Sequence, residues 1–368
     1  IYTRSVTVAS AGTNRKTITS NVSWNGAAGS GQTSAVTQLT NWAAVLAKSW
    51  ANPSRYAGLD LSGSVAGYKV ATQGSYAYVV RNVSGSVNFF VINIAVPTSP
   101  TVVGSLTLAG TPTNIAVSGN YAYVSNASDT TELQIINVTT PASPALSGSY
   151  NANGNANGLG VFVVGTTAYL TRAANSANDE FVIINAATPA SPSRVGGYSL
   201  NVSMYEVYVS GTVAYVATSS DTQEILVINM ILPGLLSLGT SINLSGTADV
   251  TTISGYGTLL TIGRGTTLST LSFATALTPT LTGSVTLPGT INDVSVDSVH
   301  NYVFAGTNFS TGEFQVVNIN TPATPSILSS VNLTGSLNVT GVAYNATLDV
   351  VPGASSDTAQ EAVIFGPN

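Results

Sequence analysis

Cysteine is absent from all 368 residues, which excludes disulfide bonds and thiolate metal sites. The single histidine, His300, rules out histidine-cluster zinc sites and makes any Ser-His-Asp triad depend on one residue. Charged side chains supply 7% of the chain, against roughly a quarter in an average soluble protein. Solubility therefore rests on Ser, Thr and Asn hydroxyls and amides. Ten Lys and Arg face fifteen Asp and Glu, and no basic cluster is dense enough to track phosphates, so nucleic acid is not an expected partner. No apolar run reaches the roughly 18–20 residues a membrane helix needs.

What the chain has is a repeat. Tyr78, Tyr123, Tyr169 and Tyr215 follow one another at 45, 46 and 46 residues, and the spacing continues through Leu259, Tyr302 and Leu348 to give seven units. Each unit reads as four short strands. An inner strand such as Asn114-Ile-Ala-Val-Ser118 meets a tyrosine strand such as Tyr121-Ala-Tyr-Val-Ser125 across a two-residue Gly/Asn turn, where positive φ is needed. A strongly apolar third strand ends on Asn: Phe89-Phe-Val-Ile-Asn93, Leu133-Gln-Ile-Ile-Asn137, Phe181-Val-Ile-Ile-Asn185, Ile225-Leu-Val-Ile-Asn229 and Phe314-Gln-Val-Val-Asn318. Proline pairs such as Pro141/Pro144 and Pro189/Pro192 then turn the chain into an outer, edge-like strand.

A four-stranded meander cannot bury both apolar faces alone, so the units must stack, and radial stacking gives a seven-bladed β-propeller of all-β class. The repeat is out of phase with the chain ends. The last unit stops after its third strand, near 361–365, while a spare strand at 56–61 precedes the first inner strand. Pairing of these two segments would close the ring with an N-terminal strand.

The third strands and proline turns resemble the LVIVD-repeat family of bacterial and archaeal β-propellers, over about residues 53–366, with Asn at 93, 137, 185, 229 and 318 where the family has Asp. The closest copies are 121–144 and 169–192; the copy at 255–279 diverges. The resemblance implies a propeller, secretion or surface placement, and a binding or structural role. It supplies no catalytic residue.

Residues 1–55 stand outside the repeat as an N-terminal arm, with 56–368 as the propeller. The segments 1–9 and 17–24 read as strands. Val36, Leu39, Trp42, Ala43, Leu46 and Trp50 fall on a helical period, so a helix is expected over 34–50, capped by Ser34 and stopped by Pro53. A competing reading makes 43–46 a degenerate third strand. The arm carries Arg4, Arg15, Lys16, Lys48 and Arg55 and no acid, a formal +5, leaving −10 on residues 56–368. A basic, strand-forming arm on an acidic body suits docking onto the next subunit, and repeating one such contact builds a filament. The plainer alternative is an arm folded on its own propeller.

Aligning the inner strands on the tyrosines gives the column Gly67, Asn114, Gly160, Glu206, Asp249, Asp293 and Gly341. Glu206, Asp249 and Asp293 are therefore expected to converge at one channel mouth, as oxygen ligands for Ca²⁺ or as a hydrated acidic rim. A second column, Glu132, Glu180, Glu224, Glu313 and Glu361, reads as solvent-facing hairpin ends. Ten sequons offer glycosylation at Asn21, Asn82, Asn126, Asn137, Asn201, Asn243, Asn308, Asn332, Asn338 and Asn345. No acid stands above its neighbours as a catalyst, and no enzyme activity or cofactor beyond Ca²⁺ is expected. The sequence is read as an extracellular or cell-surface structural subunit that assembles head-to-tail through its arm. The alternative is a monomeric surface propeller that binds glycan or protein.

Overall fold

The computed structural model describes residues 2–10, 15–27, 29–40, 49–175, 177–232, 234–297, 299–333, 335 and 337–368. The chain forms two compact units, Ile1–Ser49 with Asn368, and Trp50–Pro367. The change of unit thus falls at 49/50 rather than at 55/56. Among the described residues no helix is long and apolar enough to cross a membrane.

The first unit is an antiparallel sheet in the order β1 (Tyr2–Ser10), β2 (Arg15–Gly26) and β3 (Gly29–Thr40). The helix expected over 34–50 is not there in its first half, because residues 34–40 belong to β3. Thr33, Val36, Thr37 and Thr40 are β-branched and fit a pleated strand better than a helix, and the ladder runs unbroken from Gly26↔Gly29 to Arg15↔Thr40. Residues 41–48, including the alternative strand at 43–46, lie outside the described residues.

Register makes this sheet two-faced, since paired residues share a face and successive residues alternate. The rows Tyr2/Trp24/Gly31, Arg4/Val22/Thr33, Val6/Ser20/Ala35 and Val8/Ile18/Thr37 line one face. The other face carries Thr3, Ser5, Thr7, Thr19, Asn21, Ser23, Gln32 and Ser34, with Val36 its large aliphatic. Tyr2 is 80% exposed, Val6 53% and Val8 60%.

The second unit contains seven four-stranded antiparallel sheets, a seven-bladed β-propeller. We number the blades from residue 69: 69–106, 111–150, 158–198, 204–238, 252–286, 291–331 and 339–367. The seventh is completed by β4 (Pro53–Leu59) against Ala362–Pro367, in register Ala362↔Leu59 through Pro367↔Pro53. The closing strand begins three residues and ends two residues earlier than the expected 56–61. Trp50, expected at a helix end, is 2% exposed, with its ring 4.3 Å from Phe304 and its Nε1 donating to Asp349 Oδ1 at 3.0 Å.

The core is a set of apolar layers between neighbouring sheets. Tyr78, Val80, Phe89 and Val91 of blade 1 pack on Ile115, Ala122, Val124 and Ile136 of blade 2, and Ile364 of blade 7 joins Val79 and Ile92 of blade 1 across the closure. Each marker tyrosine fills such a layer; Tyr215 is wholly buried, and Tyr169 stacks on Phe181 at 6.2 Å. The Asn that ends five of the seven third strands has a local task. The side-chain oxygens of Asn93, Asn137, Asn185, Asn229 and Asn318 accept the N–H two residues on, at 2.9–3.2 Å, starting the turn to the outer strand.

Pairing also corrects the repeat phase in blades 5 to 7. Tyr123 pairs with Ile135 just before the outer-strand bulge. The residues holding that place are Thr261, opposite Thr270, and Phe304, opposite Val316, while Pro352 pairs with the corresponding Ile364. Leu259 and Tyr302 sit two positions early, and Leu348 lies in a longer hairpin turn ahead of Val351–Ser355.

Candidate functional site

The corrected register defines a ring around the channel. Two residues beyond each marker the second strand pairs with the inner strand at Lys69, Asn114, Gly160, Thr252, Asp293 and Gly341, and Glu206 precedes the paired Val207. Lys69 and Thr252 thus hold the places that sequence alignment gave to Gly67 and Asp249.

These side chains form one bonded layer. Lys69 Nζ lies 2.7 Å from Glu206 Oε1 and 2.8 Å from Asp293 Oδ1. Asn114 Nδ2 donates to Glu206 Oε1 at 3.0 Å, and Thr252 Oγ1 to Asp293 Oδ1 at 3.1 Å. The second carboxylate oxygens accept backbone N–H groups, Ile253 on Glu206 at 3.1 Å and Val342 on Asp293 at 2.8 Å. Blades 1, 2, 4, 5, 6 and 7 are all tied in. Blade 3 supplies Gly160 and blade 7 also supplies Gly341, where a Cβ would come within 2.3 Å of Tyr205 O and 2.9 Å of Lys69 Cα, so neither position has room for a side chain.

Of the three acids expected to share a cation, Glu206 and Asp293 converge and Asp249 does not. Asp249 Oδ2 instead accepts the Tyr205 hydroxyl at 2.7 Å. The charge between Glu206 and Asp293 is the ammonium of Lys69, so a divalent ion there would have to displace it. Burial lowers the Lys69 pKa, but the two carboxylates outweigh it and hold the net value above the ordinary range. Burial pushes Asp293 up to about 6 against the pull of Lys69, and burial plus the bond to Asp249 raises Tyr205 to about 12. The layer separates a funnel of about 280 Å³, lined by Phe162, Ser295 and Tyr344, from one of about 260 Å³ lined by Tyr68, Tyr205 and Asn292.

A pH dependence follows from Asp293. Its folded pKa lies above the unfolded value, so the folded state binds the extra proton between about pH 4 and 6 and this group favours folding as pH falls. The stability of the wild type relative to Asp293→Asn is expected to rise from pH 7.5 to pH 5, read by denaturant unfolding. Parallel pH profiles would refute the assignment.

The second acidic column corrects the sequence reading outright. Glu132, Glu180, Glu224, Glu313 and Glu361 are 0–1% exposed. One oxygen of each accepts the backbone N–H where the chain leaves an outer strand: Ala152, Leu200, Leu244, Leu333 and Leu61, at 2.8–3.1 Å. Asn88 does the same for Leu108 at 2.7 Å in blade 1. Arg172 pairs with Glu132 at 3.0 Å and Arg81 with Glu361 at 2.6 Å. Arg264 occupies the same strand position toward Glu224; Arg264 Nη2 and Glu224 Oε1 are buried without a partner among the described residues. These carboxylates are blade latches, not a surface.

His300 sits in a turn with Nδ1 2.9 Å from Asp297 Oδ2, and Asp297, His300 and Asp349 offer ligand atoms within 4.8 Å of one another. Of the sequons, Asn82, Asn201, Asn243, Asn308 and Asn332 are exposed, and Asn21, Asn137 and Asn338 half-buried. Asn126 and Asn345 are buried, with Nδ2 donating to Val124 O and Gln134 Oε1 and to Thr72 Oγ1 and Gly74 O respectively. In the folded chain their amides are not open to a glycan.

Residues 66–107 and 109–152 match the model of the LVIVD repeat, so the chain carries an LVIVD-repeat region. None of the curated proteins matches the sequence. Among solved structures the chain is similar to the RRP9 WD40 repeats, at 10% identity and TM-score 0.65, covering 87% of this chain and 98% of that one. It is similar to the β-propeller domain of Cps50 (Swd1) from Myceliophteria thermophila, at 10% and 0.62, covering 83% and 97%. The computationally designed Ika8 protein matches at 10% and 0.59, covering 85% and 99%. At these identities the likeness is one of fold alone, a β-propeller.

Proposed function

We propose that this protein is a non-catalytic structural subunit of an extracellular filament or surface layer, joined copy to copy by its N-terminal sheet. One observation carries the reading: β1–β3 present an apolar face of Tyr2, Val6, Val8 and Trp24 that is largely exposed, on a segment, residues 1–49, whose sequence holds Arg4, Arg15, Lys16 and Lys48 and no acid. Residues 50–367 carry six bases and fifteen acids, a formal −9. An isolated sheet with one apolar face gains stability by covering it, and opposite charge speeds encounter. Extracellular placement rests on the resemblance to LVIVD propellers, the scarcity of charge and the exposed sequons.

The test is electron microscopy of the purified chain beside a variant lacking residues 1–49, a cut that spares buried Trp50. Polymers from the full chain and single discs from the variant are expected. A full chain that stays monomeric at every concentration would overturn the reading. The alternative, a monomeric glycan-binding propeller, draws on the funnel where Tyr68 and Tyr205 stand beside Asn114 and Asn292; glycan binding by the variant lacking residues 1–49 would favour it.

A further inference from the structure

The turn between the third and outer strands reads Ala-Val-Pro-Thr-Ser-Pro in blade 1, Thr-Thr-Pro-Ala-Ser-Pro in blade 2 and Ala-Thr-Pro-Ala-Ser-Pro in blade 3. Blade 4 departs from them with Ile231-Leu-Pro-Gly-Leu-Leu236, where Ile231 replaces Ala or Thr, Leu232 replaces Val or Thr, Leu235 replaces Ser and Leu236 replaces the second proline. Ile231, Leu232 and Leu235 are 65%, 60% and 73% exposed, and Leu238 in the outer strand is 42% exposed. That strand is only Ser237–Leu238, whereas the other outer strands have six or seven residues. Ile231 also edges a groove of about 310 Å³ shared with Tyr169, Val195 and Met230. Single exposed aliphatics are ordinary, but several within eight residues mark an interaction site.

We infer that this blade-4 edge is the acceptor for the N-terminal sheet of a second copy, whose Tyr2–Val6–Val8–Trp24 face covers Ile231, Leu232, Leu235 and Leu238. The inference rests on the assembly reading above and deepens it by naming the receiving surface. The occupant is argued from complementarity within the one chain. An uncovered apolar sheet face, carried with four bases and no acid, meets an uncovered apolar edge on a unit of formal charge −9. Apolar contact supplies the cohesion and opposite charge the approach. Donor face and acceptor edge are different surfaces, so the contact is heterologous and propagates into a filament or a ring.

The lack of cysteine gives a clean test. Full chains carrying Val6→Cys and Leu235→Cys are mixed and treated with a short bis-maleimide, with Leu281→Cys, an exposed leucine on blade 5, as the control acceptor. A covalent dimer from the 6/235 mixture and at least tenfold less from the 6/281 mixture is expected, along with loss of polymers in Leu235→Asp at an unchanged melting temperature. If Leu235→Asp polymerises like the wild type and no 6/235 dimer forms, the acceptor assignment fails, while loss of polymers on removing residues 1–49 would leave arm-driven assembly standing. A doubly substituted chain that cross-links only within itself would overturn docking between copies. A wild type that never polymerises overturns both.

Discussion

Lys69→Met is expected to destabilise the propeller by about 3–5 kcal/mol, because it leaves two carboxylates buried in one layer without their counter-ion. Lys69 has 11% of its side chain exposed, Glu206 13% and Asp293 10%, so water cannot take over from the ammonium. The damage should be distributed. Glu206 and Asp293 also hold Asn114, Thr252 and the Ile253 and Val342 N–H groups, which ties the inner strands of six blades to the state of these two acids. Neutralising the carboxylates as well, in Lys69→Met/Glu206→Gln/Asp293→Asn, should recover much of the loss, since amide oxygens still accept the backbone bonds while the charge problem disappears. Denaturant unfolding of the three proteins measures this; equal midpoints for Lys69→Met and the wild type would show that the layer is not held as an ionic cluster. Metal binding at Glu206 should be absent in the wild type for the same reason, its site being filled by the chain's own cation.

The fold was legible because the third strand repeats both its apolar run and its terminal Asn, and each of those Asn residues starts the same turn. The phase slipped in blades 5 and 6 for a physical reason. Side chains on a strand alternate with period two, so a shift of two residues preserves the inside/outside pattern, and Tyr302 and Phe304 cannot be told apart by it. The same two-residue ambiguity in blade 1 put Gly67 where Lys69 belongs and hid the cation of the channel layer. One signal was present: Lys69 is the only lysine in residues 50–367, and it opens an inner strand directly before Val70 and Ala71. The buried glutamates were misread because their partners lie about twenty residues on, in a backbone N–H that no sequence pattern marks. For β3, the residues on a helical period were outweighed by β-branched neighbours and a complete ladder.

Arg172→Met should be comparably costly, through a different arrangement. The Arg172 side chain is fully buried, with Nη2 donating to Glu132 Oε1 at 3.0 Å, Asn153 O at 2.6 Å and Ala156 O at 3.3 Å, and Nη1 to Ala152 O at 3.2 Å and Asp179 O at 3.0 Å. It is the junction of blades 2 and 3, since Glu132 immediately precedes the third strand of one and Arg172 ends the second strand of the other. Removing it strands a buried carboxylate, at about 3–5 kcal/mol, and deprives four carbonyls of a donor. Glu132→Gln should cost less, because the amide oxygen still accepts from Ala152 N and the carbonyls keep Arg172. In the double variant the cost should be less than the sum of the two, giving a coupling of about 1–3 kcal/mol in a double-mutant cycle. Arg264→Met provides the comparison. Its guanidinium holds only Ser245 O and Ala248 O, is hydrogen-bonded to no carboxylate, and has Nη2 without a partner among the described residues, so its loss should cost no more than about half as much as that of Arg172. Equal losses at the two arginines would mean that the ion pair adds nothing to the carbonyl contacts, and that the blade latches act as hydrogen-bond caps alone.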